Sequence, residues 1–183
     1  MHDPKPPLVR PCTDADLDEI AAIYADHVRN GTASFETEAP PVAEMRRRRA
    51  ALIASGYPYL VADADGWVAG YAYAGPYRPR LAYRDTVENS VYLRSEMMGR
   101  GIGMRLLDAL LGECEARGFR QMIAVVGDSG NLASIRLHER AGFRRVGVLR
   151  SVGYKHGRWL DTVLLQRALG EGDAAPPRDR GGG

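Results

Sequence analysis

The apolar residues of this chain recur at two different spacings. Leu17, Ile20, Tyr24 and Val28 follow one another at intervals of three and four residues, the period of an amphipathic helix. Residues 101–117 show the same period over a longer stretch, whereas the apolar runs between the helical segments are short and strand-like. The pattern therefore predicts a chain in which helices and strands alternate.

The predicted elements follow the order β-α-α-β-β-β-α-β-α-β-β, an α/β pattern typical of a mixed sheet with helices packed against it. Thr13 and Asp16 have the spacing of a capping box before the first helix, and Asp65-Gly66 is a strong two-residue hairpin signal. We predict strands at residues 8–11, 59–62, 67–73, 86–93, 121–126, 143–152 and 161–167. We predict helices from residue 13 to residue 28 and at residues 42–54, 101–117 and 131–141.

Length and composition favour one soluble domain. The 183 residues are 45% hydrophobic and 26% charged, an ordinary globular balance, and a domain of this size needs no disulfide or metal. We assign residues 8–169 to the domain, residues 1–7 to a loose N-terminus, and the glycine- and proline-rich residues 170–183 to a disordered tail. The sequence shows no signal peptide and no apolar stretch of membrane-spanning length, so we expect a cytoplasmic protein.

Charge and cysteine content argue against several other classes of protein. The net charge of +2 gives no electrostatic reason to expect a nucleic-acid or membrane partner. The arginines at 46–49 surround one predicted helical turn and indicate a solvated face with ion pairs. Cys12 and Cys114 are too few and too far apart for a disulfide framework or a metal site, so we expect no metal.

The clearest chemical signal is the glycine-rich turn after the fourth predicted strand, where Gly99, Gly101 and Gly103 alternate directly before a helix. Glycine permits unusual backbone angles and close approach of a ligand, and the first turn of a helix offers unpaired N–H groups to phosphate oxygens. A dinucleotide fingerprint would need glycine where Met104 stands, and no Gly-Lys-Ser/Thr tripeptide occurs. Taken alone, the alternating glycines indicate either a phosphate-binding turn or a purely structural one.

Three further motifs give the chain a family resemblance. The turn Gly99-Arg-Gly-Ile-Gly103 is followed by Asn131-Leu-Ala-Ser-Ile-Arg-Leu-His138-Glu-Arg-Ala-Gly142-Phe143. Together with Tyr83-Arg-Asp-Thr-Val-Glu88-Asn-Ser-Val-Tyr92 and Gly153-Tyr-Lys-His-Gly-Arg-Trp159-Leu-Asp161, these motifs resemble the GNAT superfamily of N-acetyltransferases, in its phosphinothricin and methionine sulfoximine branch. The resemblance covers residues 8–167 and implies a mostly antiparallel sheet of about seven strands flanked by four helices.

The same resemblance implies acetyl-CoA as the cosubstrate, with its pyrophosphate on the glycine turn and its pantetheine arm beside the fourth strand. Met98 departs from the family, which usually has glutamine or arginine there, but backbone amides are expected to supply most of the contacts. The cofactor-binding residues implied in this way are Val91, Tyr92, Leu93, Gly99, Arg100, Gly101, Ile102, Gly103, Met104, Asn131 and Arg140.

Two side chains are hypothesised to move protons. A primary amine has to lose a proton before it attacks, and Glu88, a carboxylate on a strand otherwise flanked by core residues, is the candidate base. A salt bridge of Glu88 with Arg78 or Arg84 is the plainer interpretation. His138 acts as the acid for the leaving thiolate if the resemblance holds in detail, and is otherwise structural. Cys114 lies on the apolar side of a helix, which favours direct transfer over an acyl-enzyme.

The acceptor pocket is expected to need cations and hydroxyls, because amino-acid analogues of this kind carry a carboxylate and a second polar group. Arginine suits a carboxylate or a phosphinate, although arginine-rich loops usually only face water. The predicted substrate-binding residues are Phe35, Arg78, Arg80, Tyr83, Glu88 and Ser90.

Three functions stay open from the sequence. The first is an acetyl-CoA-dependent N-acetyltransferase that detoxifies a small amino acid or analogue, with a small-molecule amine as partner. The second is an acetyltransferase for protein N-termini or another amine. The third is a non-catalytic acetyl-CoA-binding module, which Glu88 and His138 disfavour because a sensor needs neither. The resemblance also implies a homodimer.

Overall fold

Helices and strands follow one another in the predicted order. A computed structural model describes residues 6–177. The helices are α1 (Leu17–Asn30), α2 (Val42–Ala54), α3 (Ile102–Ala116) and α4 (Leu132–Arg140). The strands are β1 (Leu8–Pro11), β2 (Tyr59–Ala64), β3 (Trp67–Pro76), β4 (Thr86–Leu93), β5 (Gln121–Gly127), β6 (Arg144–Lys155) and β7 (Arg158–Ala168). The predicted mixed class and element order are confirmed.

Seven strands of the described region form one sheet in the order β1-β2-β3-β4-β5-β7-β6. Neighbouring strands are antiparallel except β4 and β5, which are parallel and are connected through α3. A parallel neighbour requires such a crossover because a tight turn can only reverse the chain. The crossover brings the N-terminus of α3 to the carboxyl end of β4, and α4 begins at the same edge after β5.

The sheet separates two apolar cores. One contains residues of α3 and α4, and the other contains residues of α1 and α2. Successive side chains of a strand point to opposite faces, so β4 contributes to both cores. Val87 belongs to the α3–α4 core and Tyr92 to the α1–α2 core. Glu88 therefore faces the α1–α2 side of the sheet, and Asn89 faces the α3–α4 side.

The first helix starts later than predicted. Residues Asp14–Asp16 form a short 3₁₀ turn, and the α-helix proper begins at Leu17. The predicted capping interaction is present, because the Asp16 carboxylate accepts a hydrogen bond from the Thr13 N–H at 2.7 Å. The cap therefore begins the 3₁₀ turn that leads into α1, which explains the shifted boundary.

The last two strands are longer than predicted. They extend to Lys155 and from Arg158 and meet in a two-residue turn in which His156 and Gly157 have φ values of +51° and +73°. The predicted turn at Asp65-Gly66 has the same left-handed geometry, with φ values of +53° and +96°. His-Gly is a weaker hairpin signal than Asp-Gly, because aspartate adopts left-handed angles more readily.

Part of the C-terminal segment contacts the domain. Within residues 170–177, for which we predict disorder, the carbonyl oxygens of Gly172 and Ala175 each accept a hydrogen bond from Arg120 at 2.7 Å. Residues 1–5 and 178–183 lie outside the described residues, so the predicted division into domain, loose N-terminus and tail stays a prediction. No helix within residues 6–177 combines the length and the apolar character that a membrane crossing requires.

Candidate active site

The central parallel strands separate part of the way along their length. β4 and β5 pair over four residues each, ending at Asn89 and Ala124. β4 then continues to Leu93 beside β3, and β5 continues to Gly127 beside β7. The two strands diverge beyond Asn89, and the space between their edges suits an extended ligand that bonds as a strand would.

A cavity of about 480 Å³ occupies this divergence. Its wall contains residues of β4 and β5, of the loop between α1 and α2, and of α4 and β7. The structure thus brings together side chains from both faces of β4. The predicted site residues that line the cavity are Phe35, Glu88, Ser90, Val91, Tyr92, Asn131 and His138.

The predicted phosphate-binding turn follows β4. Gly99 and Gly101 have φ values of +75° and +77°, and no heavy atom beyond the adjoining residues lies within 4 Å of the place that a Cβ would take. Such left-handed angles favour glycine, so the turn presents bare backbone beside the first N–H groups of α3 at residues 102–104. Gly103 lies inside α3, where a Cβ would be 3.4 Å from Leu137. Only two of the three alternating glycines are therefore required by the turn itself.

Glu88 lies in the middle of β4 and is half-buried in the cavity wall. Burial raises the pKa of its carboxyl above the ordinary value, and the positive charge of Arg78 partly opposes this rise. Arg84, the other predicted salt-bridge partner, lies 3.5 Å from Asp85. A carboxylate with a raised pKa takes up a proton more readily, which is what a general base at neutral pH requires.

His138 is buried on α4, and both of its ring nitrogens are engaged. Nδ1 lies 2.8 Å from the carbonyl oxygen of Ser134, and Nε2 lies 2.9 Å from Oδ1 of Asn89. Both partners are carbonyl oxygens, which only accept, so a neutral ring donates its one N–H to either Ser134 or Asn89. Burial lowers the pKa of His138, which favours this neutral form.

The loop between α1 and α2 closes one side of the cavity. The Tyr24 hydroxyl lies 2.8 Å from Ser34 Oγ and 2.8 Å from Glu36 Oε1. Arg48 donates to the same Glu36 carboxylate at 2.6 Å. The ion pairs predicted for the arginines at 46–49 are confirmed, and one of them fixes a carboxylate in the cavity wall.

The predicted acceptor-binding arginines lie between β3 and β4, and the structure does not bring them into the cavity wall. The Arg78 guanidinium stands 5.1 Å above the Tyr77 ring, which meets Tyr83 edge-on at 5.7 Å. Arg80 is exposed and precedes a 3₁₀ turn. Of these residues, Arg78 is the one whose charge acts on Glu88.

The residues implied to bind the cofactor differ in their contacts and in their exposure. The Asn131 side chain accepts a hydrogen bond from the Ser134 N–H in the first turn of α4 at 3.2 Å, so Asn131 caps that helix. The Leu93 carbonyl oxygen lies 2.8 Å from a histidine ring nitrogen of α1. Arg100 and Arg140 are exposed, and Met98 is 50% exposed at the turn.

Several residues of the cavity wall were not predicted from the sequence. Their segments are far apart along the chain, so no local motif joins them. Asn89 gave the clearest signal that was overlooked, because it is a polar residue on the inward face of a core strand. The residues missed are Tyr24, Ala33, Ser34, Glu36, Tyr73, Asn89, Ala124, Val125, Val126, Gly127, Ser134 and Thr162.

The chain that forms the diverging strands, the glycine turn and the half-buried carboxylate matches a known family. Residues 9–164 match the family model described as an acetyltransferase (GNAT) domain. The chain therefore belongs to the GNAT acetyltransferases, as its motifs imply.

The relatives of this chain fall in the branch that the resemblance indicates. Over 169 residues, 92% of this chain, it is 56% identical to a phosphinothricin N-acetyltransferase of Alcaligenes faecalis, of which it covers 86%. Over the same share it is 44% identical to an L-methionine sulfoximine/L-methionine sulfone acetyltransferase of Pseudomonas paraeruginosa, of which it covers 98%. A phosphinothricin acetyltransferase of Sinorhizobium meliloti, solved in complex with acetyl-CoA, superposes with a TM-score of 0.92 at 48% identity, covering 95% of this chain and 94% of that one.

Proposed function

We propose that the protein transfers the acetyl group of acetyl-CoA directly to the primary amine of a small amino acid or analogue. Phosphinothricin, methionine sulfoximine and methionine sulfone represent this class of acceptor, and N-acetylation would detoxify the toxic analogues among them. The relatives support the substrate class through their names. The observation that carries the proposal is the cavity between β4 and β5, which joins the strand edge to a carboxylate with a raised pKa.

The residues present fit acetyl-CoA. The two left-handed glycines leave open space where any other residue would place a Cβ, and α3 begins directly after them. Phosphate oxygens fit there because the first helical N–H groups lack intrahelical partners and lie at the positive end of the helix dipole. When bound, acetyl-CoA supplies an acetyl group activated as a thioester. The edge of β4 at residues 91–93 would align the pantetheine arm.

We assign the role of general base to Glu88. An alkylamine with an ordinary pKa of about 10 is mostly protonated at neutral pH and cannot attack in that form. The Glu88 carboxylate removes the proton directly or through a water molecule, and the raised pKa strengthens it as a base.

The proton for the leaving thiolate is assigned to His138, with a condition that the structure adds. Nε2 faces the Asn89 amide rather than open solvent, so a proton reaches the cavity only if that contact is released. Cys114 cannot supply an acyl-enzyme route, because it is buried and burial raises the pKa of its thiol to about 12. These features favour direct transfer in a ternary complex.

The decisive experiment measures acceptor-dependent release of free thiol from acetyl-CoA. The acceptors are phosphinothricin, methionine sulfoximine, methionine sulfone, a polyamine and a peptide with a free N-terminus. Turnover that is highest with the amino-acid analogues supports the proposal. Preference for the peptide or polyamine would replace it with the second candidate. Binding of acetyl-CoA without release by any amine would indicate a non-catalytic module.

We further propose a homodimer, and the exposed apolar side chains of the final hairpin support it. Val152, Tyr154 and Trp159 are 52%, 59% and 63% exposed on neighbouring strands. Apolar patches of this kind often mark contacts between subunits. Light scattering on the purified protein tests the dimer, and a monomeric mass would contradict it. We also propose a cytoplasmic location, which the two free cysteines among the described residues support.

A further inference from the structure

The hairpin of β6 and β7 contacts the loop between α1 and α2 at positions that the catalytic assignment does not use. We propose that Gly153 and Lys155 of this hairpin are positioning residues that set acceptor specificity by fixing Phe35 and its loop. The proposal rests on the proposed function, since specificity presupposes an acceptor. The contacts that carry it are independent of which acceptor is used.

Lys155 is a buried lysine held by the acceptor loop. Only 6% of its surface is exposed, and Nζ donates to the carbonyl oxygens of Gly31 and Ser34 at 3.0 and 2.7 Å. Burial lowers the pKa of the ammonium group, while the nearby Glu36 carboxylate opposes that shift. Lysine is rarely buried without partners because its charge is costly to desolvate. The ammonium therefore fixes the loop backbone at two points, one of them next to Phe35.

The Phe35 ring fits against two glycines. A Cβ built on Gly153 would overlap the ring and lie 2.6 Å from its Cδ2 atom. A Cβ on Gly127 of β5 would lie 2.8 Å from Cε1 of the same ring. Both distances are shorter than the separation that non-bonded carbon atoms keep. The ring thus occupies space that exists because β5 and β6 carry glycine there.

These contacts determine the shape of the acceptor end of the cavity. Phe35, Ser34 and Glu36 all line the cavity, and all three lie between the end of α1 and the start of α2. A loop without regular structure takes its position from such tertiary contacts. Moving it would change the space for an acceptor side chain without altering the glycine turn, which is built from other elements.

The first test compares Lys155→Met with the control His156→Gln. His156 also contacts the Gly31 carbonyl oxygen, at 3.1 Å, but its ring is exposed. We expect Lys155→Met to raise the acceptor KM about 10-fold while the acetyl-CoA KM stays within about twofold, and His156→Gln to change neither. Hydrogen exchange of the amides at residues 31–36 should accelerate in Lys155→Met only. Unchanged exchange there, or a parallel rise of both KM values, would overturn the proposal.

The second test is a double-mutant cycle that does not depend on the stability of Lys155→Met. Gly153→Ala should raise the acceptor KM in the wild-type background, and Phe35→Leu in the same chain should relieve most of that effect. Additive effects of Gly153→Ala and Phe35→Leu would contradict the proposed fit. If the wild-type protein acetylates none of the amines tested, the proposed function fails. The exchange rates at residues 31–36 still decide whether Lys155 positions the loop.

Discussion

The two ends of the candidate site, one proposed for the cosubstrate and one for the acceptor, are built in different ways. The cofactor end is one continuous stretch, residues 89–104, which supplies a strand edge, two left-handed glycines and the first turn of α3. The acceptor end combines side chains of α1, the α1–α2 loop, α2 and the final hairpin, joined by contacts such as Arg48 to Glu36 and Lys155 to Ser34. In the proposed complex, the first end binds the cosubstrate through backbone groups and the second binds the acceptor through particular side chains.

This difference has a consequence for specificity. Every residue except proline offers the same backbone N–H and carbonyl groups, so the cofactor end tolerates many side chains and depends chiefly on its glycines. The acceptor end changes whenever one of its side chains changes, so a new amine can be accommodated without loss of the cosubstrate. Glu88 stands where the two ends meet, since it lines the cavity on the strand that we propose aligns the cosubstrate.

The largest effect is expected where the ends meet. Glu88→Gln should lower kcat about 10²–10⁴-fold, the range for loss of a general base, with little change in either KM. The raised pKa of Glu88 also predicts that wild-type kcat/KM falls with decreasing pH at a higher pH than an ordinary glutamate would give. Steady-state kinetics across pH measure both quantities. An unchanged kcat would remove Glu88 from the mechanism.

Glu88→Gln should lower activity without lowering the stability of the fold. A carboxyl whose pKa is raised by folding destabilises the folded state increasingly as pH rises through the interval between its unfolded and folded values. Glutamine carries no charge, so Glu88→Gln should be at least as stable as the wild type at pH 7. A lower Tm for Glu88→Gln would show that the Glu88 carboxylate stabilises the folded state and that its burial carries no net cost.

The next largest effect is expected at the cofactor end. Alanine in a left-handed conformation costs about 1–2 kcal/mol, so Gly101→Ala should weaken acetyl-CoA binding about 10-fold and leave the acceptor KM unchanged. Gly56→Ala is the matched control, because Gly56 has a φ of +82° and equally open surroundings away from the cavity. Calorimetric titration with CoA measures the Kd. Equal losses in both variants would show a general stability effect instead.

A smaller effect is expected at Arg78, which lies between β3 and β4 outside the cavity wall. Its guanidinium is exposed, so solvent screens its attraction for an acceptor carboxylate, and Arg78→Ala should raise the acceptor KM about fivefold. Removing its charge should also raise the pKa of Glu88 further and move the acid limb of the kcat/KM profile to higher pH. Arg144→Ala, an exposed arginine at the start of β6, controls for net charge. A kcat effect with unchanged KM would exclude substrate binding by Arg78.

The contrast between the two ends also explains what the sequence could predict. The turn at Gly99 and Gly101, the cap at Thr13 and the position of Glu88 on its strand depend on neighbouring residues, and local patterns identified them. Lys155 and Ser34 are separated by 121 positions, and no spacing rule connects them. Arg48 belongs to a run of four arginines in which nothing local distinguishes the one that reaches Glu36.

The smallest effect is expected at His138, which lies on the opposite face of β4 from Glu88. Substituting it tests whether that face of the sheet takes part in the reaction. Burial lowers its pKa in the folded state, so the unfolded chain binds the proton more tightly. The free energy of unfolding should therefore decrease as pH falls below about 6.5, the ordinary histidine pKa, and His138→Gln should flatten that slope. Urea unfolding at several pH values measures this free energy. An identical slope in His138→Gln and the wild type would show that the pH dependence does not come from His138.

Nitrogen NMR of the His138 ring tests whether the residue takes part in proton transfer. If acetyl-CoA binding leaves the protonation of both ring nitrogens and the Asn89 contact unchanged, His138 is structural and Glu88 with water handles both protons.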